Sequence, residues 1–136
     1  DGDGKADYIA YQEIAGHWKF KLSAGMYREL DLQRGYLGGP GRAAVPADYD
    51  GDGFCDPAVY AEAGGSWKVL LSASNYEPLV LPRFLGGPGW LAAPGDYDGD
   101  GLADPAVTDP ASGAWTVLLS TGGYRPQSLP GFLRAP

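Results

Sequence analysis

A chain of 136 residues with 44% hydrophobic side chains has enough apolar material for one buried core, which excludes a disordered chain. A formal charge of −7, with only 10 scattered Lys and Arg and no basic stripe, excludes nucleic acid as a partner and points to cations instead. No run of 18 apolar residues is present, so no membrane insertion is expected, and Gly 22 with Pro 12 predicts short strands joined by many turns.

The chain opens inside an acidic string, DGDGKADYIAY from Asp1, which recurs as DGDGFCDPAVY from Asp50 and DGDGLADPAVT from Asp98, at steps of 49 and 48. Trp18, Trp67 and Trp115 keep the same step, as do Tyr27, Tyr76 and Tyr124, and GGPG occurs at Gly38 and Gly86. One supersecondary unit is therefore used three times: repeat 1 over 1–46, repeat 2 over 47–94 and repeat 3 over 95–136. Any export signal is expected to have been removed or to lie upstream of Asp1.

Repeat 1 starts partway through its acidic loop and so lacks its first strand. Repeat 2 shows the unit most fully, with a predicted strand over Pro57–Ala61, a second over Trp67–Ser72 and a turn through Glu62–Ser66 between them. A third apolar stretch covers Leu79–Leu85, and a fourth, Trp90–Pro94, leads into the next acidic loop. Four short strands in roughly 48 residues match the size of a propeller blade. The predicted fold is therefore all-β, with blades of four-stranded antiparallel sheets. A closed ring needs about four to eight blades, so three imply either part of a longer chain or half of a homodimeric six-bladed ring.

The loops Asp48-Tyr-Asp50-Gly-Asp52-Gly-Phe54-Cys-Asp56 and Asp96-Tyr-Asp98-Gly-Asp100-Gly-Leu102-Ala-Asp104 carry carboxylates at positions 1, 3, 5 and 9. Glycine at position 6 permits a sharp turn, and hard oxygens at alternating positions are what Ca²⁺ requires. The position 7 carbonyl, from Phe54 or Leu102, is expected to add another oxygen. Repeat 1 keeps Asp1, Asp3, the Lys5 carbonyl and Asp7 but has no position 1 ligand, so two complete sites and one partial site are predicted.

Electrostatics supports the same reading. Two carboxylates about 4 Å apart repel by roughly 4 kcal/mol at an effective dielectric near 20, and 11 of the 17 acidic residues sit in these loops. Three Ca²⁺ ions add +6 and bring the formal charge from −7 to −1. A helix-flanked EF-hand is excluded, because its position 12 glutamate is Val59 in one loop and Val107 in the other. Mg²⁺ fits less well, since it prefers rigid octahedral sites that keep several waters.

These residues resemble a known family. DYDGDGFCDPAVY followed by GSWKVLLS, and DYDGDGLADPAVT followed by GAWTVLLS, are similar to the FG-GAP/VCBS repeats of integrin-type β-propellers, especially those of large secreted bacterial proteins. The resemblance implies calcium loops on the blades, an extracellular or cell-surface setting, and roles in adhesion or carbohydrate binding.

A search for catalytic residues leaves nothing to assemble. His17 is replaced by Ser66 and Ala114 in the other repeats and reads as a solvent-facing turn residue, while Cys55 reads as a small buried hydrophobe. One His and one Cys make neither a nucleophilic triad nor a zinc site. The repeating tryptophans read as packing between blades. Trp90 differs, because the matching position after GGPG is Arg42; with Tyr36 it is the candidate for ligand contact. The expected function is a non-catalytic module for adhesion or for binding glycan or protein. Alternatives are a spacer or self-assembling subunit of a surface fibre, or an accessory module of a larger secreted enzyme.

Overall fold

The computed structural model describes residues 1–32, 37–79, 81 and 84–130. Tyr36 lies outside them. Among the described residues the chain is all-β, with no α-helix and none long and apolar enough to cross a membrane. The first sheet holds β1 (Tyr8–Gln12), β2 (His17–Leu22) and β3 (Arg28–Leu32). The second holds β4 (Arg42–Ala44), β5 (Ala58–Ala61), β6 (Ser66–Leu71) and β7 (Glu77–Leu79). The third holds β8 (Leu91–Ala92), β9 (Ala106–Asp109), β10 (Ala114–Leu119) and β11 (Arg125–Leu129). Every pairing is antiparallel and each sheet follows chain order.

The sheets are offset by one strand from the sequence repeats. β4 and β8 lie just after the GGPG segments, each at the end of one repeat, and each opens the sheet of the next. The acidic loops connect β4 to β5 and β8 to β9, and the first sheet has no strand ahead of its loop.

The repeated tyrosines mark a tight turn. The Tyr76 amide donates to the Leu71 carbonyl at 2.7 Å, with Asn75 and Tyr76 both at positive φ (55° and 63°). Tyr27 and Tyr124 do the same after Met26 and Gly123. Left-handed backbone at a non-glycine residue is strained and persists only where packing holds it; Tyr76 and Tyr124 are both packed against core clusters. Because this turn closes at residue 76, the third apolar stretch, expected over Leu79–Leu85, has its strand starting earlier, at Glu77–Leu79; residues 80, 82 and 83 of that stretch lie outside the described residues. Pro78 in β7 and Pro126 in β11 are tolerated because these are edge strands, where a missing N–H breaks no ladder.

Strand alternation places Ala58, Tyr60, Trp67 and Val69 on one face of the second sheet and Val59 with Leu70 on the other. Both faces are buried. Val59 and Leu70 pack on Trp18, Phe20 and Leu37 of the first repeat, while the Trp67 face packs on Val107 and Leu118 of the third sheet. The sheets thus stack front to back, each tryptophan face against the Val59/Leu70-type face of the next, and they do not close on themselves.

The two ends of the stack differ. On the first sheet, the positions equivalent to Val59 and Leu70 are Ala10 and Lys21, and this face carries Lys19 paired to Glu29 at 2.7 Å and to Asp31 at 3.7 Å. At the other end the tryptophan face of the third sheet is uncovered among the described residues. Tyr49, beneath the third sheet, is 1% exposed, whereas its repeat equivalent Tyr97, in ring contact with Trp115, is 46% exposed. Trp115 itself is half-buried, unlike Trp18 and Trp67, because among the described residues no further sheet packs on it. His17 is not a turn residue: it opens β2, paired with Gln12, and is half-buried. Cys55 is also only half-buried, with burial pushing its thiol up to about 11.

Candidate metal centres

Each acidic loop is first shaped by its own aspartates. Asp48 accepts from the amides of Gly51 (2.6 Å) and Gly53 (2.9 Å), and Asp52 accepts from the amide of Phe54 (2.8 Å). The third repeat copies this with Asp96 on Gly99 and Gly101 and with Asp100 on Leu102. Side-chain bonds to amides a few residues on are the local chemistry of Asx turns. Gly51 and Gly53, at φ 78° and 85°, supply the left-handed backbone this winding needs.

The last aspartate belongs to the sheet. Asp56 and Asp104 form bridges with Ala47 and Gly95 and are fully buried. Asp56 accepts from the amides of Ser72 (2.7 Å) and Tyr49 (2.8 Å), and Asp104 from those of Ser120 (2.8 Å) and Tyr97 (2.9 Å). Burial nevertheless pushes the Asp56 carboxyl up to about 6, against the pull of those two amides.

Oxygens of Asp48, Asp50 and Asp56 lie within 4.8 Å of one another, and so do those of Asp96, Asp98 and Asp104. Two ligands on opposite sides of an ion with bonds of about 2.4 Å are about that far apart, so each triad could hold a divalent cation of calcium's size. The donor set is all hard oxygen. A buried carboxylate whose ionisation is opposed by its surroundings is stabilised by such an ion. These observations fit calcium.

Other predicted ligands take different places. Asp52 and Asp100 are not in the triads; their second oxygens accept from the hydroxyls of Ser72 (2.8 Å) and Ser120 (2.6 Å). The amides of Phe54 and Leu102 bond Asp52 and Asp100. In the first loop no triad converges among the described residues. Asp3 accepts from the Lys5 amide and the Ser23 hydroxyl, both of which lower its pKa, while Asp7 accepts from the Ser23 amide and Asp1 from the Ala24 amide.

Ser23, Ser72 and Ser120 are thus functional positions that the sequence reading passed over. Each gives its amide to the ninth-position aspartate and its hydroxyl to the fifth-position one, stapling the loop to the turn after the tryptophan strand. Their signal was present: the serines recur at the same steps of 49 and 48 as the aspartates.

Neighbouring loops also touch. The Ala103 amide donates to the Asp48 carbonyl at 2.7 Å, and the Leu102 side chain lies against Gly51, 3.3 Å from where a Cβ would stand. Asp48 and Asp50 are accordingly half-buried, whereas Asp96 and Asp98 are exposed. Trp90 sits apart from these centres, half-buried against the core cluster and lining a cleft with Arg42. Comparison of the chain with family models, curated proteins and solved structures returned no match.

Proposed function

We propose that the chain is a calcium-stabilised, non-catalytic module of β-propeller blades of the FG-GAP/VCBS type, working outside the cell and presenting its loops to a glycan or protein ligand. The observation that carries this reading is the twofold convergence of three aspartates in loops stapled to the next turn by a serine. Asp48, Asp50 and Asp56 would hold one ion, with the Phe54 carbonyl; Asp96, Asp98 and Asp104 would hold the second, with the Leu102 carbonyl. The loop of Asp1, Asp3, Lys5 and Asp7 is the incomplete third.

The ion's role in this reading is structural. It would neutralise like charges that the fold crowds together, so the folded chain binds it and the unfolded chain does not. A site filled at about ten times its dissociation constant stabilises by roughly 1.4 kcal/mol, which extracellular millimolar calcium supplies to a site with affinity near 10⁻⁴ M. Thermal unfolding with 2 mM calcium or with excess chelator tests this. A melting temperature several degrees higher with calcium is expected; the same midpoint in both buffers would end the proposal.

The ends of the stack bear on assembly. The uncovered Trp115 face repeats the face that is covered in the first and second sheets, which supports a further blade packing there. Head-to-tail pairing of copies, as in a fibre or in a ring of two halves, would set Lys19, Lys21, Glu29 and Asp31 against Trp115 and Leu129. Burying those charges against apolar surface disfavours it.

A further inference from the structure

Each acidic loop contains two Asp–Gly peptide bonds, after Asp1 and Asp3, Asp50 and Asp52, and Asp98 and Asp100. Aspartate before glycine is prone to a spontaneous rearrangement, because a residue without Cβ lets its own amide nitrogen swing onto the preceding Cγ. The glycine nitrogen gives up its proton and bonds Cγ, which loses an oxygen as water and leaves a cyclic imide. Water then opens the ring. Where it breaks the original peptide bond, the product is isoaspartate: the main chain runs through Cβ and Cγ, the free carboxylate sits on Cα, and mass and oxidation state are unchanged.

The attacking nitrogens are not held alike. The Gly51 amide donates to Asp48 Oδ1 at 2.6 Å and the Gly53 amide to Asp48 Oδ2 at 2.9 Å; Gly99 and Gly101 donate to Asp96 Oδ1 and Oδ2 at 2.6 and 3.0 Å. One carboxylate thus occupies both nitrogens of its loop. In the first loop, neither the Gly2 nor the Gly4 amide has a partner among the described residues. Gly2 stands against the Gly53 carbonyl, 3.0 Å from where a Cβ would be, so Gly4 is the cleaner contrast. Its φ of 81° matches 85° at Gly53 and 90° at Gly101, and all three are exposed. The aspartate before each is held by the amide two residues on and by a serine hydroxyl. What differs is the hold on the nitrogen.

We propose that Asp48 and Asp96 protect the covalent backbone of their own loops, and that the Asp3–Gly4 bond, which has no such hold in this chain, is a site of spontaneous isoaspartate formation. Ring closure needs a nitrogen that can lose its proton and turn toward Cγ. An amide donating to a neighbouring carboxylate is kept from both, because its proton is shared with an anion and its direction is fixed. At Asp3 the change lengthens the main chain by one carbon and moves the carboxylate to Cα, which takes the acceptor away from the Lys5 amide and the Ser23 hydroxyl. The first loop then loses its staple to the turn after β2. Every bond in this chemistry lies within the protein, so it does not rest on the calcium reading.

The test incubates the 136-residue chain at pH 7.4 with excess chelator, below its melting midpoint, beside a sample unfolded in urea that gives the rate of each bond without structure. Electron-transfer fragmentation of peptides from successive time points separates aspartate from isoaspartate at each position. Asp3 should convert at close to its rate in urea. Asp50, Asp52, Asp98 and Asp100 should convert at least about tenfold more slowly than in urea, the worth of a hydrogen bond to a charged acceptor. Asp48→Ala should bring Asp50 and Asp52 to the pace of Asp3 while Asp98 and Asp100 stay slow. Circular dichroism checks its fold, and should it not fold, Asp96→Ala takes its place with the two loops exchanged. Folded-chain rates that are alike at Asp3, Asp52 and Asp100 overturn the proposal, as does protection that persists in a folded variant. An unchanged chelator melt would end the calcium reading without touching these rates, and equal rates would end this proposal without touching the melt.

Discussion

The backbone amide of Ala103 donates a 2.7 Å hydrogen bond to the carbonyl of Asp48, which ties the acidic loop of one sheet to the acidic loop of the next. Two sites joined through such a contact share the free energy of ordering it, and the coupling is reciprocal. Asp48→Asn removes a ligand from its own triad. The Asp48 carbonyl remains, but an emptied loop no longer holds it on Ala103, so calcium binding at Asp96, Asp98 and Asp104 should also weaken, by up to about fivefold, the worth of one hydrogen bond. Calorimetric titration of the variant reads the surviving site; an affinity there equal to that in the parent chain would show the loops to be independent.

The serine staples should matter to stability more than an ordinary surface hydroxyl. Ser72→Ala leaves the amide bond to Asp56 intact and deletes only the 2.8 Å bond from the hydroxyl to Asp52. A hydrogen bond to a charged acceptor contributes about 1.5 to 3 kcal/mol, and partial exposure places this one at the low end. Urea unfolding of Ser72→Ala and Ser120→Ala in calcium should each show a loss of roughly 1.5 kcal/mol. Losses within error of zero would mean that the loops hold their shape without the staple.

The pH dependence follows from Asp56. Burial raises its folded-state pKa from 3.8 to about 6, so in metal-free protein the protonated carboxyl is the form the fold favours. Its contribution to stability is fully present below 3.8 and is lost as pH rises through 6. Calcium requires the anion, so the gain in melting temperature from calcium should be large at pH 7.5 and much smaller at pH 5. Asp100 and Asp109 are lowered, by Ser120 and by Ser112 respectively, so their own contributions are lost below this window. A calcium gain that is the same at both pH values would remove Asp56 from the ligand set.

The three tryptophans should differ in proportion to what covers them. Trp18 is 1% exposed with its indole N–H on the Leu37 carbonyl at 3.1 Å, Trp67 is buried, and Trp115 is half-buried on the uncovered face. Trp18→Ala should cost about 3 to 5 kcal/mol, and Trp115→Ala less than half of that. Chemical denaturation in calcium ranks them, and equal costs would contradict the open face.

The opposite end of the stack offers a complementary check. Ala10→Val with Lys21→Leu gives the first sheet the side chains that stand at Val59 and Leu70, and head-to-tail association with the Trp115 face should then appear in sedimentation. Unchanged sedimentation would mean that charge is not what keeps the ends apart.

What the residue string determined alone is local or periodic. The steps of 49 and 48, the hairpin around Trp67 and the winding of the aspartate loops all rest on contacts a few residues long, or on a pattern repeated three times. Such features survive without knowledge of the rest of the chain. The strand expected from Leu79 starts at Glu77 because the turn at Asn75 and Tyr76 closes in a left-handed conformation that favours glycine or asparagine, and tyrosine does not announce it.

The tertiary structure decided what depends on separate segments meeting. Ser72 reaches Asp52 across 20 residues, Ala103 in the loop of the third sheet reaches Asp48 in the loop of the second, and Arg42 and Trp90 come to line one cleft. It also separated Asp52 and Asp100 from the converging triads, and distinguished Trp115 from Trp18. Burial belongs to the neighbour that covers a residue, and equivalent residues in a repeat acquire different roles when only one of them has that neighbour.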